Sequence, residues 1–233
     1  MSRSVEKDEN FYRLTAFRQR ENYISTISHD LKIPVIAQMR ALELLSDGSL
    51  GTLNPEQKEM IDLTLESCKS VYDMLSAILE TYKYENKKIP LIFSVFNAEK
   101  MFNNIFYKLK PLLKRKNINI NLNLKTPEIF GDEKNLEKAF KNIFEYCLYS
   151  AVQNSTINVN LNKISDGFEI LINCQTHFDE NFPDNLKGNF EKIGSNLNLC
   201  LAKQIIDSHN GNIVFQNNNK NLLINIKFNT IIP

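Results

Sequence analysis

Ile27-Ser28-His29-Asp30-Leu31-Lys32-Ile33-Pro34 is the stretch on which the reading of this chain turns. It lies in a long amphipathic helical pattern from about Asp8 to Leu45, with a break expected near Pro34. Ile24, Leu31 and Leu45 share one heptad position, and Ile27 and Ala41 share the other seam position. With Ile24 at a, His29 falls at f, on the side away from the seam. Core packing therefore does not explain it. Imidazole is a nucleophile near neutral pH, and Asp30 can hold its ring and take its proton. A lone His–Asp pair is more often an ordinary solvated pair, so the surrounding sequence has to carry the functional reading.

The chain has 233 residues, enough for one large or two small domains. It is 42% hydrophobic and 24% charged, which allows a sizeable core. A formal net charge of +1 gives no electrostatic case for nucleic acid or an acidic membrane surface. No apolar run approaches the roughly 18–20 residues of a membrane span. Residues 1–19 are charged and polar, so no signal peptide is expected. Cys68, Cys147, Cys174 and Cys200 are scattered without metal-type spacing and sit in apolar patterns, so buried free thiols in a reducing cytoplasm are expected.

A turn cluster, Asp47-Gly48-Ser49-Leu50-Gly51, ends the first helix. Asn54-Pro55-Glu56 supplies an N-cap and a proline at the first position of a second. That helix keeps heptad time through Ile61, Cys68, Leu75 and Tyr82, with Thr64, Val71 and Ile78 between. Two such helices cannot bury both faces alone, and pairing with a second copy gives a four-helix bundle. Asn86-Lys87-Lys88-Ile89-Pro90 is a linker. Beyond it, strands are expected at Leu91–Phe96, Asn117–Leu124, Ser155–Leu161, Phe168–Cys174, Gly211–Asn217 and Leu222–Phe228. Helices are expected at Ala98–Lys116, Glu133–Ala151 and Asn198–Ser208. Helices covering one face of a sheet make an α+β sandwich.

A helical hairpin with an exposed histidine, a linker and an α+β domain together resemble a sensor histidine kinase core. Ser28-His29-Asp30-Leu31-Lys32-Ile33-Pro34 is similar to that family's phosphoacceptor box. Gly131-Asp132 and the helix over Leu136–Ser150 resemble the approach to its asparagine box. Asn189-Phe190-Glu191-Lys192-Ile193 resembles the phenylalanine box, and Gly194 to Gly211 the last glycine box and its helix.

The nucleotide half departs from the family pattern. Asn142 matches the first asparagine of the box, but Tyr146 stands where the resemblance places the magnesium-binding one, with Glu145 as the nearest substitute ligand. The first glycine box, Asp-x-Gly-x-Gly in the family, reads Cys174-Gln175-Thr176-His177-Phe178. The last reads Gly194-Ser195-Asn196-Leu197-Asn198-Leu199, with two glycines replaced. Phe190-Glu191-Lys192-Ile193 runs straight into Gly194, leaving no room for the family's lid. In the phosphoacceptor box, Ile33 replaces the threonine that the resemblance assigns to positioning a hydrolytic water, so phosphatase activity should be weak.

The expected fold is therefore α+β. Residues 1–86 form a two-helix hairpin dimerising into a four-helix bundle, and 87–233 a degenerate histidine-kinase-like ATPase-type α/β sandwich. On the resemblance, the chain is a cytoplasmic histidine phosphotransfer protein of a two-component phosphorelay. His29 takes a phosphoryl group from one receiver aspartate and gives it to another. Asp30 orients the ring, Lys32 balances phosphate charge, and Asn142 is the remaining cofactor-binding residue. The expected partners are a second copy, response-regulator receiver domains and a hybrid kinase, with no nucleic acid and no membrane. No resident cofactor or metal is expected, because the receiver brings its own Mg2+. ATP enters only under an alternative, a divergent ATP-dependent histidine kinase. A pseudokinase scaffold without phosphotransfer is the other alternative. His177 should be exposed, and His209 should cap or pack at a helix end.

Overall fold

A computed structural model describes residues 26–27, 29–85, 89–125, 128–177 and 193–229. Ile24, Ser28, Phe178 and Asn189–Lys192, all used in the sequence reading, lie outside these residues. The chain divides into two units, Met1–Glu80 and Thr81–Pro233.

The first unit is a helical hairpin. Helix α1 spans residues 29–46 and α2 spans Pro55–Glu85. The break expected at Pro34 does not occur, and the helix runs through it. Proline forfeits one backbone hydrogen bond in a helix interior; near the start of the described helix, that loss does not end it. The turn between the helices follows its sequence. Gly48 and Gly51 take φ of 81° and 123°, which side chains resist. The Asp47 carboxylate accepts from Ser49 N at 2.8 Å, and the Ser49 hydroxyl first, then this backbone bond, hold its pKa below the ordinary carboxylate value.

Asn54 then caps α2 reciprocally: Gln57 N donates to Asn54 Oδ1 at 2.8 Å, and Asn54 N donates to Gln57 Oε1 at 3.0 Å. Ser46 Oγ donates to Asp62 at 2.6 Å, and Lys58 reaches the Ser46 carbonyl at 2.9 Å, tying the end of α1 to the start of α2.

The second unit is a sheet with helices on one face. Its elements are β1 Ser94–Asn97, α3 Ala98–Lys116, β2 Asn119–Leu124, β3 Glu128–Gly131, α4 Glu133–Ser150, β4 Thr156–Ile164, β5 Gly167–Gln175, α5 Ile193–Ser208, β6 Gly211–Asn218 and β7 Asn221–Phe228. Five strands run in the order β2-β4-β5-β7-β6, with β2 parallel to β4 and the remaining pairs antiparallel. β1 and β3 form a separate antiparallel pair. Strand β3, only four residues long, shows no period of its own in the sequence, and it ends at Gly131, where the resemblance places a strand-to-helix entry.

Alternation on β4, β5 and β7 sends Ile157, Val159, Leu161, Ile170, Ile172, Ile224 and Ile226 inward, all fully buried. On the other face, Asn121 and Asn123 of β2 donate side-chain hydrogen bonds to Asn158 and Asn160 of β4, at 3.0 and 3.1 Å. A one-residue slip would break both amide pairs and bury asparagines, so they help fix the parallel register. Phe102 and Phe106 of α3 meet Phe140 and Phe144 of α4 edge-on, with centroids 4.7–5.9 Å apart across the helices. Each buried phenylalanine contributes about 1.5–3 kcal/mol.

Asp132 organises one end of this layer. Its carboxylate caps α4 by accepting from Asn135 N at 3.0 Å, and it also accepts from Ile92 N at 2.8 Å. Its own N–H donates to Nε2 of His209 at 3.0 Å, while Nδ1 of His209 lies 2.7 Å from the Ile205 carbonyl. A carbonyl can only accept, so Nδ1 carries the proton and Nε2 is the acceptor. His209 is 2% exposed. Burial pushes its pKa below the ordinary value, against the Ile205 bond and the nearby Asp132 charge.

The unfolded chain therefore takes up a proton that the folded chain refuses. This contribution to stability is complete above about pH 6.5 and lost as pH falls below it. Denaturant titrations between pH 8 and pH 5 should show that decline, and His209→Ala should be less stable at pH 8 but flatter across the window. Asn54→Ala should lower hairpin stability by about 1 kcal/mol, read from the melting of the full chain.

Candidate phosphoacceptor site

The described part of α1 holds His29 on its wet face, with 73% of the side chain exposed. Nδ1 lies 3.3 Å from Oδ1 of Asp30, itself 67% exposed. An ionised carboxylate only accepts, so the Nδ1 proton points at Asp30 and the Nε2 lone pair is left free. This arrangement suits a nucleophilic imidazole: one nitrogen is open to an incoming electrophile, and a carboxylate fixes the tautomer and stabilises positive charge as it develops.

Lys32, one turn further on, is half-buried, and its ammonium lies 5.4 Å from the ring centroid of Tyr72 on α2. Tyr72 escaped the sequence reading. The signal was present in the spacing Ile61, Leu65, Cys68, Tyr72, which forms the half-buried stripe of α2.

The apolar seam is placed differently from the expectation within one chain. On α1, Lys32, Val35, Met39 and Leu42 are half-buried, as is Leu45 of the expected seam, whereas Ile27, Leu31 and Ala41 of that seam are exposed. On α2, Ile61, Cys68 and Leu75 turn inward, and Thr64, Val71 and Ile78 face out. Each helix carries more apolar width than one neighbour covers.

The residues matched to the nucleotide box lie in the second unit. Asn142 on α4 is buried, and its amide donates to the Asn198 carbonyl on α5 at 3.2 Å. Glu145 is paired with Lys141 at 3.0 Å. The Tyr146 ring meets Phe215 of β6 edge-on, with centroids 6.5 Å apart, and burial raises its pKa. Beside it, Cys147 and Cys174 are both buried free thiols, and their mutual contact and burial push the Cys147 pKa well up. The helix expected from Asn198 begins at Ile193, so the stretch resembling the last glycine box is helical backbone. Among the described residues, no cluster of three or more His, Cys, Asp or Glu side chains could hold a metal ion. His177 is exposed and His209 buried, as expected.

Residues 19–87 match the profile of the His Kinase A (phospho-acceptor) domain. The full-length structure of ShkA in complex with AMPPNP superposes with a TM-score of 0.73 at 15% identity, covering 91% of this chain and 47% of that one. The fold is that of a histidine kinase core. Histidine kinase ThkA in complex with the response regulator protein TrrA superposes at 0.60 and 17% identity, covering 91% of this chain and 65% of that one. In sequence, the chain is 22% identical over 211 residues to the circadian input-output histidine kinase CikA of Thermosynechococcus vestitus. The match takes in 84% of this chain and 29% of that relative's length. No helix among the described residues is long and apolar enough to cross a membrane.

Accessibility of the histidines can be read directly. Diethyl pyrocarbonate should modify His29 and His177 and spare His209, whose two ring nitrogens are both engaged. Peptide mapping of the native protein checks this; rapid modification of His209 would contradict its buried, bonded geometry.

Proposed function

We propose that this chain is a histidine phosphotransfer protein, taking a phosphoryl group from a receiver aspartate onto Nε2 of His29 and returning it to another. The observation that carries this reading is the exposed His29 imidazole, held by Asp30 at 3.3 Å on a segment matching a phospho-acceptor domain. The Nε2 lone pair attacks the phosphorus of an acyl phosphate. The N–P bond forms, the P–O bond to the receiver aspartate breaks, and that carboxylate leaves. Asp30 balances the cationic ring during the step. Mg2+ would come with the receiver and is not assigned to this chain. A regulator partner is supported by the likeness to ThkA, whose structure contains the response regulator TrrA.

A nucleotide site that no longer works forms the second part of the proposal. Tyr146 puts an aromatic ring, lying against Phe215, where the family resemblance expects a metal-binding amide. Glu145 is engaged with Lys141, and Asn142 with the Asn198 carbonyl. Magnesium favours small oxygen ligands in near-octahedral array, which this set supplies poorly. No step is therefore routed through ATP.

Dimerisation forms the third. Leu31, Ile36, Leu44, Leu63, Val71 and Ile78 are exposed on a single hairpin, and a four-helix bundle with a second copy would bury such stripes. Val71→Lys together with Ile78→Lys should turn a dimer into a monomer by light scattering. A monomeric wild type would sink the bundle.

Calorimetric titration with Mg-ATP tests the nucleotide reading: no binding is expected at millimolar concentration. Micromolar binding would favour an ATP-dependent kinase, the activity for which the AMPPNP complex of ShkA provides a structural parallel. Incubation with a phosphorylated receiver should place acid-labile phosphate on the wild type and none on His29→Ala. Equal labelling of the two would end the phosphotransfer reading, and labelling of neither would leave a scaffold.

A further inference from the structure

Lys32 sits where hairpin packing would ordinarily place an apolar side chain. It opens the half-buried stripe Lys32, Val35, Met39, Leu42, at spacings of three and four. Its neighbours Leu31 and Ile33 are 48% and 54% exposed. Next to His29, the helix therefore turns a cation inward and two large apolar groups outward. Packing alone favours the reverse.

Tyr72 provides a physical reason. With its ring centroid 5.4 Å from the ammonium, it lies within the distance at which a cation is drawn to an aromatic face. The methylene stem of the lysine can meanwhile cover apolar surface of the stripe. His29 and Lys32 are three residues apart on one helix, so they are neighbours on its surface.

We propose that Tyr72 is a positioning residue for phosphotransfer, its ring holding the Lys32 ammonium beside His29 where the phosphoryl oxygens arrive. This rests on the phosphotransfer reading of His29. An untethered lysine has to be ordered as negative charge comes in, whereas one already held on a ring does not. The ring face, not the phenol hydroxyl, does the holding. Phenylalanine should therefore serve and leucine should not.

The test uses the full chain with phosphoramidate as donor, following acid-labile phosphate on His29 over time. Tyr72→Leu and Lys32→Met should each slow labelling by about two- to fivefold, while Tyr72→Phe should match the wild type. Tyr72→Leu should add nothing in the Lys32→Met background, because the two act through one contact. Lys32→Met should also melt no lower than the wild type, since methionine suits the stripe.

In NMR spectra of the wild type, the Lys32 ε-methylene protons should be shifted upfield by the Tyr72 ring. That measurement is independent of whether any variant folds, and an unshifted Lys32 signal overturns the proposal. So does unimpaired labelling of Tyr72→Leu, a loss in Tyr72→Phe as large as in Tyr72→Leu, or additive losses in the double variant. Absence of any label on wild-type His29 would instead overturn the phosphotransfer reading, and with it any role for Tyr72 in transfer.

Discussion

The N–H of Asp132 needs an acceptor away from water, and the protein supplies one ring nitrogen, Nε2 of His209. Around that bond, strand β3 ends, α4 starts and α5 finishes. The Asp132 carboxylate caps α4 and takes the Ile92 N–H from the segment leading into β1. The spacing is tight: a Cβ on Gly131 would come within 2.6 Å of a Leu136 methyl and 3.4 Å of the His209 ring. Burial in a low-dielectric setting penalises the charged forms of both residues. At Asp132, hydrogen bonds from Ile92 and Asn135 outweigh that penalty and keep its pKa below the ordinary value. At His209, burial wins and the ring stays neutral. A neutral imidazole is what the geometry requires, because a protonated ring would have no lone pair for the Asp132 N–H.

The end of α4 is held by different means. Lys116, at the close of α3, donates to the carbonyls of Leu148 and Tyr149 at 2.7 and 2.8 Å. A cation at a helix C-terminus satisfies carbonyls that lack helical partners and complements the helix dipole. Burial, and after it the neighbouring Arg115 charge, lower the Lys116 pKa. With α4 fixed at both ends and the phenylalanine cluster along its length, this layer has its own mechanical logic. Along its length α4 is tied further, by the Asn142 amide to the Asn198 carbonyl of α5 and by the Tyr146 ring to Phe215 of β6.

Much of this was legible in the sequence because the physics is local. The asparagine–proline start of α2, the glycine turn before it and the period-two strands are short-range signals. His29 was legible as a polar residue on the wet side of an apolar repeat. Other features were not. Strand β3 is too short to show a period. The half-buried α1 stripe begins with a lysine, so a hydrophobic repeat pointed instead to Leu31 and Ala41, which one hairpin leaves exposed. The role of His209 depends on Asp132, 77 residues away, which no window of sequence contains. The helical start of α5 was obscured by its resemblance to a glycine-rich loop, and with asparagine in place of two glycines the stretch has less reason to stay open.

Places where local rules fail are informative when several failures fall together. At residues 29–33 a histidine and a carboxylate face water, a lysine turns into the stripe, and leucine and isoleucine turn out. Packing alone would disfavour the inward lysine and the outward leucine and isoleucine. A second hairpin would account for outward apolar groups but not for the inward cation. A receiver docking at His29 would account for exposure of the imidazole but not for Tyr72 lying at the Lys32 ammonium. The proposed phosphoryl chemistry at His29 would account for the histidine, the carboxylate and the cation together. On that proposal, the hairpin carries the groups that meet the phosphoryl oxygens.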